Sequence, residues 1–366
     1  MQENTDRTSG FELPQRVTDM KNTTASPLTN AKVLVIGGAG FIGSFVVSEL
    51  LKEDVAQVVV YDNFTRGKRE YLTEQLKDPR CSIFPFGGDI RDVDILDTAV
   101  AGKDYVISLA AMWLLHCKDY PRTAFEVNVA GTFNILEACV RHKVKKLVWS
   151  SSASVYGDAV ELPMTEAHPF NNKNFYGASK IAGEAMCTAF NDRYGLPIVG
   201  LRYMNVYGPH QDQTAAYTGV VPIMLEKIDA NEAPVINGDG SQAYDFIYVE
   251  DVARCNVLAL KSSVNFGMYN VATEVQTSIR SLCDLILKLK RSALKVTYKP
   301  YSADDSRALV QNRIGSKAKA EKELGFSHKY SLEDGLKRLI AWRDATRMTA
   351  SEHLGSEQVA VNLKAV

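Results

Sequence analysis

Lys32-Val33-Leu34-Val35-Ile36-Gly37-Gly38-Ala39-Gly40-Phe41-Ile42-Gly43 decides the fold of this 366-residue chain. A β-branched apolar run stops at a cluster of glycines, and apolar residues at helical spacing resume over Phe41–Leu51. Two glycine registers overlap: Gly38-x-Gly40-x-x-Gly43 and the tighter Gly37-x-x-Gly40-x-x-Gly43. Both need a sharp strand-to-helix turn and a backbone that approaches a pyrophosphate closely, which a side chain would block. The helix opening at Phe41 then points its free N–H groups at phosphate. Asp62 closes the next apolar run, Gln57–Tyr61. A carboxylate there accepts hydrogen bonds from the adenosine ribose and repels a 2′-phosphate. The pattern predicts bound NAD, although Arg66 and Lys68 follow closely and leave room for NADP. Asp89-Ile90, after the third run, either holds the adenine edge or caps a helix.

Working outward, apolar runs recur at Cys81–Phe86, Tyr105–Leu109, Lys146–Ser150 and Pro197–Leu201. Helical patterns separate them: an acidic stretch to Val100, a long helix over Asp119–His142, and another over Tyr176–Tyr194. Strands alternating with helices mean βαβ units and a parallel sheet. The expected class is α/β, a Rossmann-type doubly wound parallel sheet over residues 31–203. A smaller mixed α/β cap over residues 204–345 follows, partly interleaved with it. There Gly208-Pro209-His210 and Gly238-Asp239-Gly240 punctuate loops, and Asp251–Leu260, Ile279–Lys290 and Leu332–Trp342 read as isolated helices. Residues 1–30 are polar and read as a flexible leader, and residues 346–366 as a flexible tail.

Composition narrows the function classes. Net charge is −1, so no basic footprint marks a nucleic-acid binder. The six cysteines, at 81, 117, 139, 187, 255 and 283, form no C-x-x-C pair and read as reduced thiols of a cytoplasmic protein. The six histidines are scattered, so no metal site is expected. No run nears the ~18 consecutive apolar residues of a membrane span.

Tyr176 and Lys180 stand four apart on a predicted helix and share a face. A free tyrosine, pKa about 10, is a poor base at neutral pH. A nearby ammonium and a positive nicotinamide ring would both favour its phenolate. Ser152 ends a strand one βα step earlier, where its hydroxyl can bond the reacting oxygen. Tyr-x-x-x-Lys alone is common by chance. Behind a glycine loop, Asp62 and Ser152, it marks a hydride-transfer site with a tyrosine base.

At this point the chain resembles the extended short-chain dehydrogenase/reductase family, specifically its nucleotide-sugar epimerases and dehydratases. The likeness runs from about Lys32 to about Trp342. It rests on Gly37–Gly43, Asp62-Asn63, Asp89-Ile90, Leu109-Ala110-Ala111, Asn128-Val129-Ala130-Gly131-Thr132, Ser150–Gly157, Tyr176–Lys180, Leu201–Pro209 and Gly238–Gln242. The resemblance implies Tyr176 as general base, Lys180 as its electrostatic partner and ribose anchor, and Ser152 as hydroxyl orienter. It implies Gly37, Gly40, Phe41, Ile42, Gly43, Asp62, Asn63, Asp89, Ile90, Ala110, Ala111, Asn128, Ser150 and Tyr203 around NAD. Asn205 would touch the sugar nucleotide. The bland alternatives are that Asn128 satisfies backbone and Asn205 shapes a loop. A homodimer through the two long helices is also implied.

Three departures stand out. Ser108 replaces a frequent His. Tyr244 replaces an Arg that usually helps bind the diphosphate in such enzymes, and Arg307 is a loosely aligned substitute. Trp113-Leu114-Leu115 is bulky where small polar residues usually flank the hexose, which reads as helix packing or as an unusual sugar. The 4,6-dehydratases carry Asp-Glu just after the catalytic hydroxyl residue, and the decarboxylases a Glu; Ala153 and Ser154 stand there instead. The resemblance therefore implies a 4-epimerase of a nucleotide sugar, with UDP the expected nucleotide. The alternatives are a dehydratase or decarboxylase, a net alcohol dehydrogenase of the same fold, or a non-catalytic cofactor-binding regulator.

Overall fold

The computed structural model describes residues 26–212, 219–301 and 310–363. Its first half follows the βα rhythm of the sequence: β1 (Lys32–Ile36), α1 (Phe41–Leu50), β2 (Gln57–Tyr61), β3 (Cys81–Ile83), α2 (Val93–Val100) and β4 (Tyr105–Ser108). Then come α3 (Leu114–Asp119), α4 (Pro121–Ala124), α5 (Gly131–Arg141), β5 (Lys146–Ser152), α6 (Phe175–Tyr194) and β6 (Ile198–Tyr203). β1 to β6 pair in parallel in the order β6-β5-β4-β1-β2-β3. Their side chains are buried on both faces, as helices on both sides of a parallel sheet require. Val46, Val47 and Leu50 of α1 pack on one face; Leu96 of α2, Ile135 of α5 and Cys187 of α6 pack on the other.

Two sequence expectations need correction here. The helix expected over Asp119–His142 starts at Pro121, after a break at Tyr120, and runs on to Arg141 with a π-helical turn at Phe125–Ala130 between α4 and α5. The sheet also has a seventh strand. The chain runs through β7 (Asn205–Tyr207), α7 (Val220–Asp229), β8 (Val235–Asn237), β9 (Ala243–Tyr244), β10 (Phe246–Tyr248) and α8 (Val249–Lys261) to β11 (Phe266–Val271). β11 pairs in parallel with β6 and extends the sheet, and α8 packs on α1. Thus α8, read from sequence as isolated, is a crossover of the main sheet.

The cap is built from β12 (Thr277–Ser278), α9 (Ile279–Leu289), β13 (Thr297–Lys299), β14 (Asn312–Arg313), α10 (Ala318–Leu324) and α11 (Leu332–Leu363), with α7 and the short strands. Small ladders join β10 to β7, β9 to β12 and β14, and β8 to β13. Leu225, Leu282, Ile286 and Leu336 form its own core. α11 runs on to Leu363 through the segment expected as a flexible tail. The expected leader lies outside the described residues up to residue 25; Leu28 is fully buried in the sheet's core.

His210 bolts the cap to the sheet domain. It follows Gly208-Pro209, and its ring stacks on Tyr71 at 4.2 Å with planes 1° apart. Its Nδ1 lies 2.9 Å from the Ser44 hydroxyl on α1. Trp342 of α11 meets the same ring edge-on. Burial pulls the imidazole pKa down to about 4. A His in the unfolded chain titrates near ~6.5. Below that pH the unfolded state takes up a proton the native state refuses, so stability falls as pH drops from 6.5 towards 4. In urea denaturation across pH 4–7, His210→Gln should lose less stability on acidification than the wild type. Parallel curves for the two proteins would contradict this role.

Candidate active site

All the main strands end at one edge, and the strand order reverses between β1 and β4, where ligands of open α/β sheets bind. A cavity of about 620 Å³ lies there. It is lined by Gly37, Gly40, Phe41, Ile42, Gly43, Asp62, Asn63, Asp89, Ile90, Ala110, Ala111, Ser150, Tyr176, Lys180, Tyr203 and Asn205. All of these were expected there; Ser152, expected beside them, does not itself line the cavity.

The glycine turn is built as its motif requires. Gly37 has φ of 79°, which favours glycine. A Cβ on Gly43 would collide with Gly37 O, so α1 can start this close to β1 only with glycine there. Asp62 faces this turn. Its Oδ2 accepts from Ala39 N at 2.9 Å and its Oδ1 from Phe64 N at 2.8 Å. Each oxygen keeps a further lone pair for a ribose hydroxyl. Burial raises the Asp62 pKa, against the pull of those two backbone N–H groups. Arg66, the residue that left room for NADP, ion-pairs with Asp212 at 3.1 Å and lies over the Trp113 ring at 4.3 Å. The strained glycine turn, the free first turn of α1 and the half-satisfied carboxylate fit a dinucleotide without a 2′-phosphate.

Asp89 does not cap α2; Asp92 does, accepting from Ile95 N at 3.2 Å. The Asp89 carboxylate clamps Arg91, with Nη2 at 2.7 Å. Its lowered pKa comes first from that guanidinium. Asn128 is buried and is absent from the cavity wall. It braces the loop after β4, accepting from Met112 N at 2.7 Å and donating to Met112 O at 2.8 Å and Ser179 Oγ at 3.0 Å. The backbone-satisfying alternative therefore describes it, although the backbone served belongs to another segment.

Ser152, Tyr176 and Lys180 come together where α6 meets β5. Asn174 caps α6, accepting from Gly177 N at 2.8 Å. Gly183 packs against the Trp149 indole with no room for a methyl group. That contact draws α6 onto β5 and lays Lys180 over the indole at 4.8 Å. Lys180 Nζ donates to Ser150 O at 2.7 Å and lies 5.8 Å from the Tyr176 ring centre. Burial pulls its pKa down to about 8. Tyr176 is hydrogen-bonded to Ser152, and burial nevertheless pushes its pKa up to about 12. Ser152 Oγ also accepts from Ser154 N at 3.1 Å. In the protein by itself burial outweighs the Ser152 hydrogen bond on Tyr176, so the expected phenolate depends on the positive nicotinamide ring as well as on the ammonium. Tyr203 carries its hydroxyl to Asn256 Oδ1 at 3.0 Å, behind the site.

The substrate half is less complete. Asn205 Nδ2 donates to Asp245 O at 3.1 Å, so it shapes the cap wall and also lines the cavity. Tyr244 is not part of the lining; its hydroxyl donates to Val310 O at 2.8 Å. Arg307 lies outside the described residues. Trp113, Arg66, Gln211, Asp212 and Phe246 are also part of the wall. The sequence marked Trp113 by its bulk and Arg66 by its charge after Asp62. Gln211, Asp212 and Phe246 carried no signal there.

Comparison with known proteins agrees with this geometry. The profile of the NAD dependent epimerase/dehydratase family matches residues 33–272. The chain is 32% identical over 329 residues to a UDP-glucose 4-epimerase of Halalkalibacterium halodurans, covering 85% of this chain and 95% of that one. It is 30% identical over 326 residues to a UDP-N-acetyl-alpha-D-glucosaminuronate decarboxylase of Bacillus cytotoxicus, covering 85% and 97%. A crystal structure of a UDP-N-acetylglucosamine 4-epimerase from Methanobrevibacter ruminantium, in complex with UDP-N-acetylmuramic acid, is similar with a TM-score of 0.81. It is 31% identical, and the match covers 87% of this chain and 99% of that one. By the extent of the profile match and the identity of these relatives, the chain belongs to the NAD-dependent epimerase/dehydratase family.

Proposed function

We propose that this enzyme is a 4-epimerase of a nucleoside-diphosphate sugar, with UDP as the nucleotide. The observation that carries the reaction type is the Ser152–Tyr176–Lys180 set with Ala153 and Ser154 beside it. Tyr176 and Ser152 can hold the C4 hydroxyl between them and move one proton. Dehydration or decarboxylation calls for a further acid or base next to Ser152, and Ala153 and Ser154 supply none.

As a phenolate, Tyr176 takes the C4–OH proton while the C4 hydride leaves, giving a 4-keto sugar and the neutral phenol. NAD, held by the glycine turn and Asp62, would supply the acceptor for that hydride and its return to the opposite face of the same carbon. Ser152 donates to the C4 oxygen in either configuration. Lys180, held by Ser150 O and lying over the Trp149 face, puts a cation near the ribose side of the cavity. Burial pushes Tyr176 up to about 12, so it would serve as a base near neutral pH only with positive charge beside it, which an oxidised nicotinamide ring would supply. Since each hydride goes back to the molecule it came from, the cofactor has no reason to leave between turnovers.

Tyr176→Phe should bind the nucleotide sugar with little change and lose ~10²-fold or more in kcat, as removal of a general base does. Measured with UDP-glucose, UDP-N-acetylglucosamine and UDP-glucuronate, near-normal turnover by this variant would refute the assignment of the base.

We further propose a cytoplasmic homodimer. Among the described residues, no helix is long and apolar enough to cross a membrane, and all six cysteines are unpaired and buried. Tyr120, Phe125 and Phe133 stand exposed on α4, the π-helical turn and α5 or just before them. Phe133 meets Phe190 of α6 edge-on at 5.4 Å. A second copy laid on this apolar stripe would bury it. Light scattering at micromolar concentration should give twice the 40.4 kDa chain mass; a monomer there would contradict the pairing.

A further inference from the structure

Behind the end of β5 lies a buried ion pair that takes no part in the steps above. Glu184 sits one turn after Lys180 on α6, and Arg202 lies on β6. Arg202 Nε donates to Glu184 Oε1 at 2.8 Å and Nη2 to Oε2 at 2.6 Å, a two-pronged match of fork and carboxylate. Ser151 Oγ donates to the same Oε1 at 2.5 Å. Ser151 stands between Ser150, whose carbonyl accepts from Lys180, and Ser152, which is bonded to Tyr176. The remaining arm of the fork, Arg202 Nη1, donates to Tyr156 OH at 2.7 Å and to Glu166 O at 2.9 Å. Tyr156 in turn donates to Asn270 Oδ1 of β11 at 2.7 Å. The pair is thus fastened to β5, β6 and the segment that follows Ser152, and through Tyr156 to β11.

Stability does not account for it. Desolvating both charges offsets most of their attraction, so a buried pair of this kind adds little to net stability. Docking of α6 rests on Gly183 against Trp149, and β5 and β6 are already joined by their backbones from Leu147 to Ser152. What the pair supplies is a fixed carboxylate four residues from Lys180, on the same face of α6. Three acidic groups act on the ammonium: the Cys117 thiol of α3, the Cys187 thiol of α6 and Glu184. Burial pushes both thiols up, Cys117 to about 11. Both are therefore neutral near pH 7, and Glu184 carries the negative charge of the three. Beyond Arg202 the titratable groups are Tyr156, Glu166 and His168. Glu166 Oε1 accepts from Asn270 N at 2.8 Å, and His168 meets the Tyr156 ring edge-on at 5.4 Å.

We propose that Glu184 is a positioning residue of the epimerase reaction: clamped by Arg202, it holds Ser151 at the end of β5 and keeps a fixed negative charge one helical turn from the Lys180 ammonium. The proposal rests on the 4-epimerase reading above. Glu184 does not line the cavity, so it acts on bound molecules through Lys180 and Ser151, which do. Its charge opposes the effect of burial, which pulls Lys180 down to about 8. A lysine that close to losing its proton at neutral pH depends on that opposition. Glu184→Gln keeps the side-chain shape and can still accept from Ser151, but it withdraws the carboxylate and leaves Arg202 unbalanced. Both changes disfavour the ammonium. Lys180 should then lose its proton at lower pH, and activity should fall away sooner on the alkaline side.

The test follows Lys180 by carbon NMR across the pH range in NAD-loaded protein labelled at the lysine ε-carbon, with Lys180→Met identifying the signal. In Glu184→Gln the Lys180 midpoint should fall by about one pH unit, the scale of losing one charge across a helical turn inside a protein. The alkaline limb of kcat should move down with it, measured on whichever of UDP-glucose, UDP-N-acetylglucosamine and UDP-glucuronate the wild type turns over. The loss should be about tenfold at the alkaline end and smaller at neutral pH, with KM unchanged. Glu184→Asp, which keeps the charge, should lie closer to the wild-type midpoint than Glu184→Gln. Glu184→Gln combined with Arg202→Gln removes both charges and should give a midpoint between wild type and Glu184→Gln. Bound NAD and melting temperature report whether each variant keeps its fold. An unchanged Lys180 midpoint in a folded Glu184→Gln protein, or a loss of kcat equal at every pH, would overturn the proposal and leave the pair as packing alone. If Glu184→Gln does not fold, a wild-type midpoint in the double variant would overturn it equally. If the wild type epimerises none of the three sugars, the 4-epimerase reading fails, and the lysine titration still decides whether Glu184 acts on Lys180.

Discussion

The contact between Gly183 and Trp149 governs the active site. Helix α6 lies on β5 so closely that at position 183 there is no room for a side chain against the indole. One turn earlier Lys180 crosses the same ring to Ser150 O, and one turn before that Tyr176 reaches Ser152. A methyl at 183 would lift α6 and move the base and its ammonium away from the serine together. Catalytic positioning is therefore built on packing between two regular elements and depends on no mobile loop.

A second close approach sets the cofactor end. Gly37 and Gly43 bring α1 onto the end of β1, and Asp62 fastens the turn by its backbone at Ala39. The two constrained points face one cavity from neighbouring parts of the same sheet edge. The cap closes the third side and is fixed to α1 by His210 and Ser44, and to the loop after β2 by the pair of Arg66 with Asp212. Both links join segments well separated in the chain, so the cavity's shape follows from tertiary packing of the cap on the sheet.

What could be read from the sequence follows from how local each determinant is. The glycine turn, Asp62 and the Tyr176/Lys180 spacing are complete within one or two elements, and all appear where the sequence put them. β11 escaped because Gly267 and Asn270 interrupt its β-branched character, and its role as a sheet strand shows only once it pairs with β6. The helix expected over Asp119–His142 is there from Pro121 to Arg141; its periodicity does not reveal the π-helical turn at Phe125–Ala130, which carries Val127 into the cavity wall and Asn128 behind it. Asn128 was placed near the cofactor by resemblance; its partner, the Met112 backbone, is visible only in three dimensions.

The central claim is that one tyrosine–serine pair at the end of β5 and α6 serves both faces of a 4-keto sugar, with the hydride returned to the carbon it left. The direct test is incubation of the purified protein, without added NAD, with a UDP-sugar carrying deuterium at C4. The epimeric product should retain the label at C4, with no lasting absorbance of reduced cofactor. Loss of the label to solvent, release of a deuterated cofactor, or a dehydrated or decarboxylated product would contradict this mechanism.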